Sequence, residues 1–193
     1  MKELLVVVDM VNGFVNDGVL ADKKINKITP YIVSLVSHAK KSGIDVVAFR
    51  DCHRPADPEF KLFPPHCIKG SRESELIPEL KPFEDYMIDI TKTTTNGFKT
   101  KKFQQLILNG KYDKVFVVGC CTDICVKDFV ESYMEFIKKH NLNTKILVFE
   151  DATYTFDAPN HNAIAEHRKA IYDMAQMGVY VVHAKYLCEA LEK

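Results

Sequence analysis

The sequence predicts an α/β fold, a three-layer α/β/α domain built on a six-stranded, mainly parallel sheet of the Rossmann-like kind. Short apolar runs alternate with longer amphipathic segments along the whole chain, as in successive βαβ units. Helical crossovers between consecutive strands make those strands parallel. The sequence has neither internal repeats nor low-complexity tracts, so we expect one domain over residues 1–193.

Hydrophobic periodicity places the individual elements. Apolar runs predict strands at 4–8, 45–49, 86–90, 114–118, 144–149 and 179–182. Amphipathic spacing predicts helices at 23–42, at 100–108, after Cys125 and at 161–177, and Gly43 is a typical residue to end the first of them. Two helix faces are expected to be core, and their residues are Ile25, Ile28, Ile32, Leu35, Val36, Ala39, Phe129, Val130, Tyr133, Phe136 and Ile137.

Composition narrows the class of protein. A chain of 193 residues with 47% hydrophobic content is long enough to bury one substantial core. Its 26 basic and 26 acidic residues balance, and basic residues do not cluster with aromatics, which argues against nucleic-acid binding. The longest apolar runs fall far short of the roughly 20 residues that a membrane span needs, and the first residues do not resemble a signal peptide. We therefore expect a cytoplasmic protein that binds no membrane.

The six cysteines are predicted to be reduced thiols. Cys120, Cys121 and Cys125 are crowded together, whereas Cys52, Cys67 and Cys188 are scattered without a C-x-x-C unit. A zinc knuckle built from cysteines is disfavoured as well, because no second paired motif would supply its remaining ligands.

Cys125 is a candidate nucleophile. It follows the apolar run 115–118 and lies near the predicted start of a helix at about Thr122. The partial positive charge of a helix start favours the thiolate, which is the reactive form of cysteine. The alternative is that Cys125 is a small buried apolar residue, as most free cysteines are.

Asp9 and Lys92 each follow a predicted strand, and they give Cys125 chemical partners. The carboxyl ends of parallel strands gather at one edge of a sheet, so these three side chains could meet there. A carboxylate could take the thiol proton and later return it to a leaving amine, while an ammonium offsets the negative charge. Taken singly, a turn-forming Asp and a solvated Lys are ordinary features of strand ends.

A candidate metal site lies in the Pro-rich loop after the second predicted strand. Its two imidazoles and two carboxylates are Asp51, His53, Glu59 and His66. Nitrogen and oxygen ligands suit a divalent metal, most often Zn, and equally Mn, Fe or Co. The alternative is a polar surface loop whose histidines are satisfied by hydrogen bonds.

These residues resemble the isochorismatase-like cysteine hydrolases, and within them most closely the nicotinamidases. The resemblance spans almost the whole chain. It rests on the order and spacing of five segments, which are Asp9 to Phe14, residues 51–53, residues 59–66, Lys92 with Phe98, and residues 119–126. It also implies the isochorismatase-like version of the α/β/α fold.

The resemblance assigns roles to the residues at the predicted sheet edge. It implies a catalytic triad of Cys125, Lys92 and Asp9, and a cis peptide bond between Cys120 and Cys121. The backbone amides of Cys121 and Cys125 would form an oxyanion hole.

The resemblance also assigns a metal site and a substrate pocket. It implies a metal held by Asp51, His53 and His66 and assisted by Glu59, which grips the pyridine nitrogen of the substrate. Phe14 and Phe63 would wall the substrate pocket, although ordinary core packing is the commoner fate of a Phe.

The activity implied is hydrolysis of nicotinamide to nicotinate and ammonia through a cysteine thioester, a step of NAD salvage. Two departures from the family pattern concern the substrate: Asn12 stands where many members carry Gln, and residues 93–95, three threonines, replace an aromatic residue. The second leaves a roomier or more polar pocket, so another small amide or a carbamoyl compound is the alternative substrate. Vinyl-ether cleavage, which some relatives carry out without a cysteine, is disfavoured by Cys125.

Alternatives of other classes remain at this stage. The chain could be an inactive metal-binding or oligomeric scaffold, and a homo-oligomer is expected because relatives commonly form one. Signatures of serine hydrolases, NTPases and dinucleotide enzymes are absent from the sequence. His161, His167 and His183 are expected to be structural, with the reservation that the loop before His161 could reach the site.

Overall fold

A computed structural model of the chain describes residues 1–185. Cys188, predicted from the sequence to be a reduced thiol, lies outside the described residues. Its five described counterparts, Cys52, Cys67, Cys120, Cys121 and Cys125, are all free thiols, as predicted. None of the helices in residues 1–185 combines the length and the apolar character that a bilayer crossing needs.

A six-stranded sheet forms the centre of the molecule, in the order β3-β2-β1-β4-β5-β6. All five pairs of neighbouring strands are parallel, so the predicted fold class is confirmed and the sheet is parallel throughout. The strands are β1 (Glu3–Val8), β2 (Asp45–Asp51), β3 (Ile88–Lys92), β4 (Lys114–Cys120), β5 (Lys145–Tyr154) and β6 (Tyr180–Val182).

Helices cover both faces of the sheet and complete three layers. The helices are α1 (Asn12–Val15), α2 (Thr29–Ser42), α3 (Lys101–Gly110), α4 (Lys127–Lys139) and α5 (Ala163–Gln176). Alternate residues of β1 point to opposite faces, as the pleat of a strand requires. Leu5 and Val7 pack with the apolar side of α2, whereas Leu4 and Val6 pack with α3, α4 and α5.

The predicted helix at 23–42 is divided into two pieces. Lys23–Ile28 is a 3-10 helix capped by the side chain of Asp22, and α2 begins only at Thr29. The break coincides with Pro30, which has no N–H to continue the hydrogen bonding of a preceding helix. Gly43 ends α2 in the left-handed conformation with φ 68°, as the sequence predicted.

Four strands, β2 to β5, end later than predicted, and the ends of β2 and β3 decide where the polar side chains lie. The strand predicted at 86–90 is β3, Ile88–Lys92, so Lys92 is its last residue. Likewise β2 continues to Asp51, which pairs with Lys92 in the ladder. The ladder continues because these side chains are buried and paired, whereas apolar periodicity alone ends each strand earlier.

The remaining differences are at element ends. β5 continues to Tyr154 after a register shift against β4. α5 begins at Ala163, because the side chain of Asn162 accepts a hydrogen bond from the backbone of Ala165 and caps the helix. The predicted start at His161 was therefore two residues early.

β1 lies at the topological switch point of the sheet. From β1 the chain passes to β2 and β3 on one side, and later elements add β4, β5 and β6 on the other. In open α/β sheets, ligands bind outside the carboxyl ends of the strands at this crevice. A ligand site is therefore expected among the residues that follow β1, β2 and β4.

Candidate active site

Asp9, Lys92 and Cys125 meet at this crevice, although they come from three separate strands. Asp9 follows β1 directly, Lys92 ends β3, and Cys125 lies in the turn after β4. All three are buried, with 0%, 3% and 6% of their surface exposed, respectively. Because they are withdrawn from water, their charges act on one another at short range and with little screening.

The backbone at the crevice is unusual on both adjoining strands. Asp9 has a positive φ of 51°, and the Cys120–Cys121 peptide bond is cis, as the family resemblance implied. Gly119 has φ 117°, and an added Cβ would lie 2.0 Å from the carbonyl oxygen of Val8. Only glycine fits there, and its absence of a side chain lets the end of β4 approach the end of β1.

Lys92 lies between two carboxylates. Its ammonium is 2.7 Å from Oδ2 of Asp9 and also donates a hydrogen bond to Oδ1 of Asp51. Burial raises the pKa of Asp9 to about 7, and the Lys92 ammonium opposes that rise without cancelling it. Burial acts in the same direction on Asp51, but there Lys92 and the contacts from His53 and His66 prevail and hold the pKa well below its usual range.

The environment of Cys125 corrects one sequence prediction. We expected a helix start to favour the thiolate, yet the turn Thr122–Val126 is π-helical and α4 begins only at Lys127. Burial raises the pKa of the Cys125 thiol well above its ordinary value, and the opposing effect of Lys92 does not compensate. The resting thiol is therefore protonated, and its activation needs a base.

The four predicted metal ligands form one cluster beside this group. One ligand atom from each of Asp51, His53, Glu59 and His66 lies within 4.8 Å of all the others. Nε2 of His53 and Nε2 of His66 lie 3.6 and 3.4 Å from Oδ2 of Asp51. Burial and the nearby Asp51 raise the pKa of Glu59. A cation between the two carboxylates would relieve their mutual repulsion.

The histidines of this cluster are oriented as metal ligands usually are. Nδ1 of His53 lies 3.2 Å from Asp57, and Nδ1 of His66 lies 2.8 Å from the carbonyl oxygen of Pro64. Both Nε2 atoms are thereby turned toward Asp51, and Nε2 of His53 is buried without a hydrogen-bond partner among residues 1–185. The donor set and this buried nitrogen fit a divalent metal.

Sequence reasoning missed two residues that support the cluster. Asp57 follows His53 by four residues in a Pro-rich loop, a spacing that could have suggested the pair. The ring of Phe60 lies 5.0 Å from that of His53 and 5.5 Å from that of His66. Nothing in the sequence distinguishes Phe60 from the other aromatic residues of the loop.

A cavity of about 520 Å³ opens onto both halves of the site. The nucleophile candidate Cys125 lines it together with Cys121, and Asp51, Glu59 and His66 line it from the metal side. The predicted pocket residues Phe14 and Phe63 also line it. Their rings lie 5.6 and 6.3 Å from the ring of His66, so the cavity wall beside the candidate metal ligands is aromatic.

Two further segments close the cavity, and of these the sequence marked only the loop before His161 as able to reach the site. Its remaining lining residues are Val19, Leu20, Ala21, Asp22, Lys24, Thr95, Ile124, Phe156, Asp157 and Ala158. The loops are joined by an ion pair of 2.8 Å between Lys24 and Asp157, and by a hydrogen bond from the Asp157 backbone to Asp22. Thr95, one of the three threonines noted in the sequence, uses its hydroxyl to hydrogen-bond Asp128.

Two histidines make hydrogen-bond contacts with the turn that carries Cys125. Nδ1 of His167 lies 2.9 Å from the hydroxyl of Thr122, and Nε2 of His161 lies 2.8 Å from Oδ2 of Asp123. The loop before His161 reaches the site, in line with the reservation drawn from the sequence.

Known proteins resemble this chain over most of its length. Nicotinamidase 1 of Arabidopsis thaliana is 35% identical over 177 residues, which cover 82% of this chain and 72% of that protein. The crystal structure of nicotinamidase PncA from Bacillus subtilis superimposes with a TM-score of 0.81 at 25% identity, covering 95% of this chain and 100% of that one.

A relative with another substrate in its name is similarly close. The N-carbamoylsarcosine amidase of Thermoplasma acidophilum has a TM-score of 0.79 and 29% identity, covering 95% of this chain and 97% of that one. The isochorismatase domain matches residues 3–185. This match spans both halves of the site, and the chain belongs to the isochorismatase family of hydrolases.

Proposed function

We propose that this protein is a nicotinamidase, which hydrolyses nicotinamide to nicotinate and ammonia through a thioester on Cys125. One observation carries the proposal: Cys125 and the metal-ligand cluster open onto the same cavity, with Asp9 and Lys92 buried behind them. A flat pyridine amide can place its carboxamide at the thiol while its ring nitrogen faces the cluster. The identity with the Arabidopsis nicotinamidase supports the same substrate.

Asp9 supplies the base that a protonated thiol requires. Its pKa of about 7 lets the carboxylate accept a proton near neutral pH and release it again. As the Cys125 sulfur attacks the carboxamide carbon, its proton passes to Asp9, and the carbonyl π electrons move to oxygen. The backbone amides of Cys121 and Cys125 donate hydrogen bonds to that oxyanion.

The same carboxyl group completes both halves of the reaction. Asp9 returns its proton to the amide nitrogen, the carbon–nitrogen bond breaks, and ammonia leaves a thioester behind. Asp9 then takes a proton from water as the water oxygen attacks the thioester carbon. The carbon–sulfur bond breaks, nicotinate leaves, and the proton returns to Cys125. Lys92 stays cationic throughout and limits the repulsion between Asp9 and Asp51.

A divalent metal, with Zn as our first choice, would be held by Asp51, His53, Glu59 and His66. When bound there, the metal supplies a Lewis-acid contact that orients the substrate ring. Asp57 and the Pro64 carbonyl would keep the two imidazoles oriented as its ligands.

A second candidate substrate class is a small carbamoyl compound. It is favoured by the breadth of the cavity, by Thr95 in its lining, and by the 29% identity with an N-carbamoylsarcosine amidase. The same thiol, base and oxyanion contacts would serve that substrate, so the two candidates differ in what fills the outer cavity.

The test is ammonia release from nicotinamide by the purified protein, before and after chelation and after reloading with Zn, Mn, Fe or Co. We expect rapid release that chelation abolishes and one of these metals restores. N-carbamoylsarcosine is assayed in parallel as the competing substrate. No release from nicotinamide, together with release from the carbamoyl compound, would replace the first proposal by the second.

A protein that hydrolyses neither substrate is examined by alkylation of Cys125 with iodoacetamide. An alkylation rate that is unchanged in Asp9→Asn would support the inactive scaffold and overturn the hydrolase mechanism, because the buried, protonated thiol of a working site reacts only when Asp9 takes its proton.

A further inference from the structure

His161 connects the nucleophile turn to a wall of the cavity, and the proposed reaction steps do not use it. Its Nε2 lies 2.8 Å from Oδ2 of Asp123, two residues before Cys125. Its Nδ1 lies 2.9 Å from the carbonyl oxygen of Phe156. The ring also stacks on the Phe156 ring, with centroids 3.9 Å apart and planes 2° from parallel. Phe156 itself lines the cavity.

These contacts require a protonated imidazole. A carboxylate and a carbonyl oxygen are both acceptors, and only an imidazolium carries an N–H on each ring nitrogen. Asp123 depends on that cation, because its other oxygen, Oδ1, is buried without a hydrogen-bond partner in the described part of the chain. Burial acts to lower the pKa of His161, but the contacts with Asp123 and the Phe156 carbonyl prevail and raise it.

The other charged groups near His161 also favour the cation. Glu166, in the first turn of α5, acts to raise the pKa of His161. Asp157, from the cavity loop, interacts with His161 as well, but it is already paired with Lys24 at 2.8 Å.

His167 provides a built-in comparison. It contacts Thr122, the neighbour of Asp123 in the same turn, but its partner is a neutral hydroxyl at 2.9 Å. Burial lowers the pKa of His167, so this ring is neutral where His161 is charged. Two histidines thus support one turn, and only one of them does so through a charge.

We propose that His161 is a positioning residue for hydrolysis: its imidazolium, through Asp123, fixes the position of the nucleophile turn relative to the Phe156 wall of the cavity. When His161 loses its proton, one ring nitrogen presents a lone pair to an acceptor, and that contact is lost. The reactive alignment of Cys125 should therefore fail on the alkaline side. The inference rests on the proposed function only for the choice of nicotinamide as the assay substrate.

The experiment compares H161Q, D123N and H167Q with the wild type across pH, each checked for folding by thermal unfolding. For nicotinamide, we expect H161Q to lower kcat/KM about tenfold or more at neutral pH, since small misplacements of reacting groups have effects of this size. The ratio of wild-type to H161Q activity should fall toward one as the pH rises and wild-type His161 is deprotonated.

The other two variants separate positioning from simple support. D123N removes the charge that helps keep His161 protonated, so the alkaline fall of its profile should move to lower pH; this shift decides the matter if H161Q does not fold. H167Q should lower activity by the same factor at all pH values. An H161Q ratio near one at every pH, or a pH-dependent ratio of the same size in H167Q, would overturn the proposal.

The alkylation rate of Cys125 by iodoacetamide, followed by mass spectrometry, separates this inference from the proposed function. The wild-type to H161Q ratio of this rate should show the same pH dependence whatever amide the protein hydrolyses. A protein inactive on nicotinamide that shows this dependence would refute the substrate and keep the role of His161. An active protein whose alkylation ratio stays near one would do the reverse.

Discussion

Asp9 and Asp51 are two buried carboxylates that share one ammonium, yet they hold protons very differently. Both contact Lys92, and they are 0% and 1% exposed. Burial dominates at Asp9 and raises its pKa to about 7. Asp51 has the same cation and also the imidazoles of His53 and His66 at its other oxygen, and its pKa is lowered.

The comparison shows that neighbouring groups, and not residue type or depth of burial, cause the difference in pKa between the two carboxylates. Asp9 is suited to carry a proton between Cys125 and a leaving group. Asp51 stays ionised, which suits a metal ligand. Lys92 links the candidate catalytic group to the candidate metal ligands, because its single positive charge stabilises both Asp9 and Asp51.

Loss of the Cys125 thiol should have the largest effect on catalysis, to which Asp9 contributes, and no effect on metal binding, to which Asp51 contributes. We expect Cys125→Ala to lower kcat on the order of 10⁴-fold or more, because the nucleophile is removed. Metal content, measured by elemental analysis, should not change. Cys52→Ala is the matched control, since that thiol lies outside the cavity lining. Substantial hydrolysis by Cys125→Ala would remove the thioester from the mechanism.

The same substitution at the two carboxylates should affect different quantities, kcat at Asp9 and metal affinity at Asp51. Asp9→Asn should lower kcat by roughly 10²–10⁴-fold, the usual worth of a general acid–base group, and leave metal affinity nearly unchanged. Asp51→Asn should weaken metal binding at least as much as loss of an outer-shell partner does, about 10–100-fold. Competition titration with a chelator and steady-state kinetics measure both quantities. Equal losses of metal in the two variants would break the distinction.

Asp57 extends the metal half outward and should have a smaller effect. Its carboxylate lies 3.2 Å from Nδ1 of His53 and also accepts a hydrogen bond from the backbone of Arg54. We expect Asp57→Asn to lower metal affinity by about 10–100-fold, because the imidazole is less firmly oriented and less basic. The exposed Asp85→Asn makes the same change of charge and should have no effect. Unaltered affinity in Asp57→Asn would argue against a metal at His53.

The proton affinity of Asp9 should appear in the acid side of the pH profile. Asp9 must be ionised to accept the thiol proton, so kcat/KM should fall about tenfold per pH unit below about 7. Metal content at each pH separates this fall from release of the ion. A profile that stays flat down to pH 5 with metal retained would contradict the role of Asp9.

The stability of the protein should respond to these two groups with opposite signs. A raised folded-state pKa means that the folded protein binds the Asp9 proton more tightly than the unfolded chain does. The stability that this proton contributes is present below pH 3.8, the ordinary pKa of an Asp, and is lost as the pH rises through about 7. The lowered pKa of Asp51 contributes stability above 3.8 that is lost on acidification.

Apolar periodicity was enough to predict the fold and the approximate location of the site. The runs before Asp9 and Lys92 and before the Cys125 turn mark strand ends, and parallel strands must bring such ends to one edge. Periodicity misplaced the ends themselves, because the ladder between β2 and β3 continues through the paired residues Asp51 and Lys92. It also missed the break at Pro30, where a missing N–H overrides a continuous apolar face.

Contacts between distant segments of the site left no mark in the sequence pattern. The sequence indicated that the loop before His161 could reach the site, but not that Phe156 lines the cavity or that His161 contacts Asp123, more than thirty residues away. Only the tertiary structure brings them together. The prediction of a Cys125 thiolate was wrong for a related reason: the sequence showed neither the π-helical turn that precedes α4 nor the burial that raises the pKa of the thiol.

The sequence by itself determined which chemical groups are present and which edge of the sheet they reach, because the place of each strand along the chain and the side-chain type at its end follow from local pattern. The tertiary structure decided which of those groups carry protons. Desolvation and charge act through distances of a few ångströms, and such distances between Asp9, Lys92 and Asp51 exist only after three strands have paired.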